Sequence, residues 1–333
     1  MKPMKALVYT SPNEMTYRDE PQPAPSSGEV LIRVDAVGIC GSDMHAYHGR
    51  DPRRVPPLIL GHEIAGEILA GPGTGRQVTV NPLITCGHCE FCVQGRNNLC
   101  ANRTMIGMTR AGGFAQYLTT AASSVIELPV GMSSRAAALT EPAATTLHAI
   151  EKAKHALVRP LPECSVLILG GGAIGLLAAL LLKSYGCRQI LLAEPNALRR
   201  ESAQRTARCA TYDPVQTSAP PDNTMELVFD AVGANATRRA ALAAVKPGGV
   251  VVHVGLADAA SEIDMRKLTL AEITLIGVYT YTTADLRAAV AALDSGAFGD
   301  LAWVEERSLA DGAQAFRDLD QGRAAAAKIV LRP

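Results

Sequence analysis

Four cysteines, Cys86, Cys89, Cys92 and Cys100, stand in the pattern C-x2-C-x2-C-x7-C inside a loop of polar residues and glycine. Four thiolates satisfy a tetrahedral zinc ion, and two-residue gaps let consecutive sulfurs fold onto one ion. With every position filled, none stays open for chemistry, so the spacing predicts a structural zinc that fixes a loop. Chance clustering of thiols is the plain alternative. An iron–sulfur cluster also takes four thiolates; zinc is the reading adopted. His88, inside the same loop, reads as a surface residue beside four available sulfurs.

A second set of donors lies upstream. Cys40 falls in Gly38-Ile-Cys-Gly-Ser-Asp-Met-His45, and His62 in Gly61-His-Glu63. A catalytic zinc wants three protein ligands of mixed Cys, His and carboxylate type and one open position. Neither segment decides the matter alone. A lone cysteine is commonly a small buried hydrophobe, and a His–Glu pair is commonly a surface hydrogen bond.

The third feature is a glycine-rich turn. Val166–Leu169 runs into Gly170-Gly-Gly-Ala-Ile-Gly175 and then into a helical stretch, and Glu194 closes the next apolar run. Strand, G-x-G-x-x-G, helix and a later acid form the dinucleotide fingerprint, with Gly170, Gly172, Ala173, Ile174 and Gly175 at the pyrophosphate and Glu194 on the ribose hydroxyls. A carboxylate there repels a 2′-phosphate, which selects NAD over NADP. Arg199 and Arg200 oppose that selection, since nearby arginines can accommodate the phosphate; read plainly, they are solvated helix residues.

These residues need elements to hold them. The first 140 residues or so combine short alternating segments, such as Val30–Val37 and Gln77–Val80, with frequent turn signals, as strands and loops do. From residue 142 onward the character changes. Val166–Leu169, Ile190–Ala193, Leu227–Phe229, Val250–Val254 and Ile273–Gly277 are short apolar runs of the parallel-strand type. Helical stretches separate them: Ile174–Lys183, Ala197–Arg208 and Asn235–Val245. Such alternation implies an α/β fold with a doubly wound parallel sheet. The tail from Asp285 carries two further helical patterns and ends in the strand-like Lys328–Leu331; pattern alone assigns it to neither unit.

Composition bounds the rest. A chain of 333 residues implies two domains. Lys plus Arg equals Asp plus Glu, 32 each, so no bulk charge draws the protein to nucleic acid or an anionic membrane. The opening MKPMKALVYT reads as a strand rather than a signal peptide. The longest apolar runs, such as Ile174–Leu182, are too short to span a bilayer. A soluble, cytoplasmic protein with no membrane or nucleic-acid partner is the expectation. Of the eight cysteines four lie between Cys86 and Cys100, and in a reducing compartment so tight a cluster points to metal rather than disulfides. Cys164, Cys187 and Cys209 read as plain thiols, and His148, His155 and His253 carry no motif.

GICGSDMH, then GHE, then C-x2-C-x2-C-x7-C, then the glycine turn: this linear order resembles that of the zinc-containing medium-chain dehydrogenases, which include sorbitol, xylitol, butanediol and threonine dehydrogenases. The resemblance runs from MKALVY to AKIVLRP. It implies a GroES-like β-barrel catalytic domain from residues 1–146 and 287–333, a Rossmann NAD-binding domain from 147–286, and an active site between them. It implies that Cys40 and His62 bind the catalytic zinc, with Glu63 or Glu141 as further ligand: polyol dehydrogenases usually ligate with the glutamate of GHE and let the later one hold the zinc-bound water, whereas other members use the later residue directly. Thr145 would pack on the nicotinamide, Arg199 near the adenosine, and Val254, Gly255, Leu256 and Tyr279 beside the nicotinamide half. Two departures stand out. The segment Gly66–Val78 is short, with Gly71, Gly73 and Gly75 off the usual spacing. Thr280 replaces the arginine that sorbitol dehydrogenases often carry between two aromatic positions.

The resemblance also implies a mechanism. Zinc would act as a Lewis acid on the alcohol oxygen, and the nicotinamide would accept hydride. Ser42 would take the proton and His45 pass it on, while Asp43 orients a neighbouring ring. Tyr47, Thr280, Tyr281 and Glu141 would face the substrate, a secondary alcohol on a small polyol, sugar alcohol, cyclitol or diol. A sugar-alcohol phosphate or threonine-type substrate is the runner-up; Arg50, Arg53 and Arg54 read as a solvated loop. A zinc-finger-like binding module would want a basic surface and no cofactor turn. A zinc-free relative kept for structural or quinone-reducing work would have lost Cys40, His62 or the cysteine loop. Relatives assemble as dimers or tetramers, and a homo-oligomer is expected here.

Overall fold

The structure, a computed structural model, describes residues 2–217 and 220–333. Six parallel strands form one sheet in the spatial order Ala210–Tyr212, Gln189–Ala193, Ser165–Leu169, Met225–Asp230, Val245–His253 and Thr274–Gly277. Helices cover both faces, which explains why the central strands are apolar almost without interruption: Val166, Leu167 and Ile168 have no exposed surface. The strand order switches sides between Ser165–Leu169 and Met225–Asp230, and in such sheets ligands bind at the carboxyl ends beside that reversal. The edge strand Ala210–Tyr212 was not among the expected runs. It has three residues, partly exposed, with no apolar run to mark it.

The second unit is built on Glu29–Gly38, which pairs antiparallel with Glu63–Ala70, Tyr117–Ala121 and Lys328–Arg332. The sheet continues through Gln77–Val80 to Val125–Glu127 on one side and through Lys328–Arg332 to Val304–Ser308 on the other. The tail therefore joins this unit, with Val330 opposite Gly38 and Leu331 opposite Val37. Val304–Ser308 was missed in the sequence because its Val-Glu-Glu-Arg-Ser composition is that of a charged edge. The short stretch after Gly66 is a hairpin: Ala65–Glu67 pair with Gln77–Thr79. Gly71, Gly73 and Gly75 turn it with φ of 98°, 83° and 86°, so the unusual glycine spacing belongs to a tight turn.

Helices, not linkers, connect the units. Thr140–Ala156 and Thr283–Asp294 pack against each other. The positions 146/147 and 286/287, where the sequence suggests a domain change, fall inside them. Among the described residues no helix is long and apolar enough to cross a membrane.

Candidate active site

Cys40 follows the central strand and caps the helix Gly41–Tyr47. Its sulfur accepts from the Ser42 N–H at 3.5 Å, and the Asp43 carboxylate accepts from the Cys40 N–H at 3.0 Å. His62 and Glu63 open the neighbouring strand, where Glu63 stands opposite Gly38. Strand pairing thus brings together donors that are distant in sequence: one ligand atom from each of Cys40, His62 and Glu63 lies within 4.8 Å of the others. His62 is buried, with Nε2 3.5 Å from Ser42 Oγ and Nδ1 3.5 Å from Asp43 Oδ1. Neither Nδ1 nor Asp43 Oδ1 has a formed hydrogen bond. A thiol, an imidazole ring steered by a carboxylate, and a second carboxylate make up a zinc donor set, and these residues fit the ion.

Both Glu63 oxygens accept from Lys328 Nζ, at 2.6 and 2.7 Å, and the same ammonium donates to Ile39 O at 2.7 Å. Lys328 comes from the last strand and is itself buried. Such a pair is strongly destabilised when one partner is removed. Lys328→Met should cost about 3–5 kcal/mol in denaturant unfolding, and Lys328→Met/Glu63→Leu should recover much of it. A single variant as stable as the parent would show that the pair does not hold the site together.

Glu141 lies in the first turn of Thr140–Ala156, buried, and outside the three-residue donor cluster. Its carboxyl is pushed up to about 7, chiefly by burial and further by Glu63, against the opposing pull of His62, Tyr281 and Lys328. Tyr281, fully buried, faces Glu141; burial and that carboxylate hold its phenol well above the ordinary range. The Tyr281 hydroxyl and the Oγ1 atoms of Thr140 and Thr280 are buried without a hydrogen-bond partner. Thr280 also adopts φ of 48°, a costly conformation for a β-branched residue.

Tyr47 is buried, with its ring 5.5 Å from Phe316 of the tail helix. One sequence reading needs correction. Arg54 is not solvated. Arg50 and Arg53 are exposed, but the Arg54 side chain has no exposed surface and donates to Asp51, Gly107 O and Ser42. His45 is half-buried; burial lowers its pKa, helped by His48, Arg50 and Arg54 and opposed by Asp51.

At the sheet's reversal, the glycine turn lies as the fingerprint requires. Gly172 precedes the helix Ala173–Ser184 without any side-chain cap, leaving first-turn N–H groups for an anion. A side chain at Gly175 would place its Cβ 1.9 Å from Gly170 O, so only glycine permits this approach of helix to strand. Glu194 is buried, and its oxygens accept from Gly171 N at 2.7 Å and Asn196 N at 2.9 Å. A carboxylate has further lone pairs, so binding its own loop leaves capacity for a ligand hydroxyl. Arg200 is tied to Glu194 O and Pro195 O, whereas the Arg199 side chain has no partner among the described residues. Val254 and Gly255 donate to Asp230 O at the carboxyl end of the sheet, and Leu256 beside them is exposed. Thr145, buried one turn beyond Glu141, donates to the Glu141 carbonyl at 3.4 Å.

The cysteine lobe is assembled: the four sulfurs lie within 4.8 Å of one another, with Cys86 3.9 Å from Cys92 and 3.6 Å from Cys100. All four thiols are free. The N–H groups of His88 and Cys89 lower the Cys86 pKa to about 6, while against the pull of the Cys92 N–H burial and the neighbouring sulfurs push Cys89 up to about 11. His88 stays outside the cluster, exposed, with Nδ1 2.8 Å from Cys86 O. The lobe also docks on the other unit. Asn97 exchanges hydrogen bonds with Thr283 (3.0 and 3.2 Å), Asn98 donates to Tyr279 O at 2.8 Å, and Arg103 lies 4.8 Å above the Tyr279 ring. Nothing in the spacing of Asn97 and Asn98 announced this contact; two asparagines in a polar loop look like solvent residues.

Residues 26–130 match the family model described as the alcohol dehydrogenase GroES-like domain, and residues 173–295 match that of the zinc-binding dehydrogenases. L-galactonate-5-dehydrogenase of Escherichia coli is 33% identical over 86% of both chains. Sorbitol dehydrogenase of Bacillus subtilis is 34% identical over 84% of this chain and 82% of its own. Among solved structures, the acetophenone reductase of Geotrichum candidum in complex with NAD superposes with a TM-score of 0.88 at 28% identity, covering 99% of this chain and 97% of that one. With both family models matched and both enzymes similar over most of their length, the chain belongs to the zinc-containing medium-chain alcohol and polyol dehydrogenases.

Proposed function

We propose that the protein oxidises a secondary alcohol of a small polyol, sugar alcohol, cyclitol, diol or sugar acid to the ketone, using NAD and two zinc ions. The observation that carries this reading is the Cys40–His62–Glu63 cluster with the Ser42 hydroxyl 3.5 Å from the buried imidazole. Once bound, zinc supplies Lewis-acid activation of the alcohol and the nicotinamide accepts the hydride.

The chain's own groups do the rest. Cys40 and His62, with Glu63 or Glu141, would hold the catalytic zinc, and Cys86, Cys89, Cys92 and Cys100 the structural one. Asp43 keeps the His62 ring in place. Ser42 takes the substrate proton and His45, neutral near pH 7 because burial lowers its pKa, receives it. The free N–H groups after Gly172 receive the pyrophosphate; Glu194 binds the ribose hydroxyls and excludes a 2′-phosphate. Arg199 would lie near the adenosine, and Thr145, Val254, Gly255, Leu256 and Tyr279 around the nicotinamide. The buried Tyr281 hydroxyl, facing the Glu141 carboxyl, supports a substrate rich in hydroxyl groups, since a site built to hydrogen-bond a hydroxyl binds poorly to an analogue lacking it. Relatives named for sorbitol and galactonate point the same way. Division at 146/147 and 286/287, a cytoplasmic location and a homo-oligomer, dimer or tetramer, complete the proposal.

Zinc-loaded protein should reduce NAD, and NADP more slowly, in a screen of polyols, diols, cyclitols, sugar acids and sugar-alcohol phosphates. Silence with every class would overturn the substrate assignment.

A further inference from the structure

Arg54 lies beside the proposed proton path and the mechanism has not used it; its surroundings give it a task. Its guanidinium has no exposed surface. Nη2 donates to Ser42 Oγ at 3.0 Å, Nη1 to Ser42 O at 3.0 Å and to Asp51 Oδ2 at 2.8 Å, and Nε to Gly107 O at 3.1 Å; Asp43 Oδ1 lies 3.7 Å away. A buried arginine is balanced here by two buried carboxylates, and its planar fork meets acceptors from three separate segments.

A serine hydroxyl has one proton to donate and two acceptor lone pairs. When a permanently charged guanidinium fills one lone pair, the serine proton must point away from Arg54. The 3.5 Å approach of Ser42 Oγ to His62 Nε2 shows which side is left open: the face of the metal-donor cluster. A lone serine at the start of a helix could instead rotate its hydroxyl toward backbone acceptors. A lysine cannot replace this arrangement, because one ammonium cannot address Ser42 Oγ, Ser42 O and Gly107 O in fork geometry.

We propose that Arg54 is a positioning residue that fixes the direction of the Ser42 hydroxyl proton, so that Ser42 is held ready to exchange protons on the donor-cluster side. The inference rests on the reading of Ser42 as the proton relay. It separates Arg54 from its neighbours Arg50 and Arg53, which are exposed.

The test is a double-mutant cycle on the zinc-loaded enzyme, with the best alcohol from the screen. Ser42→Ala should lower kcat by about a hundredfold, the scale of a positioned proton transfer. Arg54→Lys should lower kcat by at least about tenfold, leave KM for NAD nearly unchanged and enlarge the solvent deuterium isotope effect. In the Ser42→Ala background Arg54→Lys should change kcat less than about twofold, since the group it acts through is gone. Ser42→Thr, which keeps the hydroxyl, should restore the Arg54 dependence. A second readout needs no turnover and no Arg54 variant to fold: in protein labelled with 15N-arginine, one exchange-protected guanidinium signal should shift in Ser42→Ala and stay in place in Ser42→Thr. Full multiplication of the two losses, or an unmoved guanidinium signal, would overturn the role of Arg54 while leaving the relay intact. Unchanged turnover in Ser42→Ala would remove the relay, and Arg54's role with it.

Discussion

His62→Ala should abolish turnover, with a loss of about 10⁴-fold or more in kcat, because it removes a ligand from a site whose metal supplies the activation. His62 lies at the junction of Cys40, Glu63, Ser42 and Asp43, so no neighbouring group can take its place. Bound zinc should fall from about two to about one per chain, the lobe ion remaining. Thermal unfolding should change much less than turnover, since the imbalance is confined to one cavity. Metal analysis and steady-state kinetics on the same preparation check both halves. Parent-like zinc content with parent-like turnover would expel His62 from the centre.

Cys100→Ser should produce the opposite pattern: a loss of folding stability with the catalytic zinc retained. Cys100 is the fully buried member of the lobe, and its sulfur lies 3.6 Å from Cys86. A short loop held by one ion draws its folding free energy from metal binding, so losing the ion should cost about 5 kcal/mol or more. For a chain of this size that corresponds to a fall in Tm of about 7 °C or more. Calorimetry and zinc content at matched protein concentration measure it. A Tm within a degree of the parent would show that the four thiols hold no structural ion.

The parts of this molecule that depend on local pattern were legible in the sequence. The glycine turn, its strand and its helix occupy Ser165–Ser184, close to the expected residues, because periodicity and glycine punctuation are encoded within a short window. The four-cysteine cluster was legible for the same reason. Edge strands were not: Ala210–Tyr212 and Val304–Ser308 are half-solvated, so their residues carry no burial pattern. Nor was the environment of the site. Lys328 reads as an ordinary lysine opening a strand, and its partner Glu63 is 265 residues away. Arg54 sits among exposed arginines of the same loop, and only the folding of Gly107 and Ser42 around it reveals that it is buried.

The docking of Asn97, Asn98 and Arg103 on Tyr279 and Thr283 has a bearing on how this enzyme ages. Three of the lobe's sulfurs belong to half-exposed residues, where an oxidant or a chelator can reach them. Once the loop slackens, the contacts it makes with the neighbouring unit loosen with it, and Thr280 loses outside support for its unfavourable backbone angle. Damage that begins at the lobe's sulfurs is therefore passed on to the segment running from Tyr279 to Thr283.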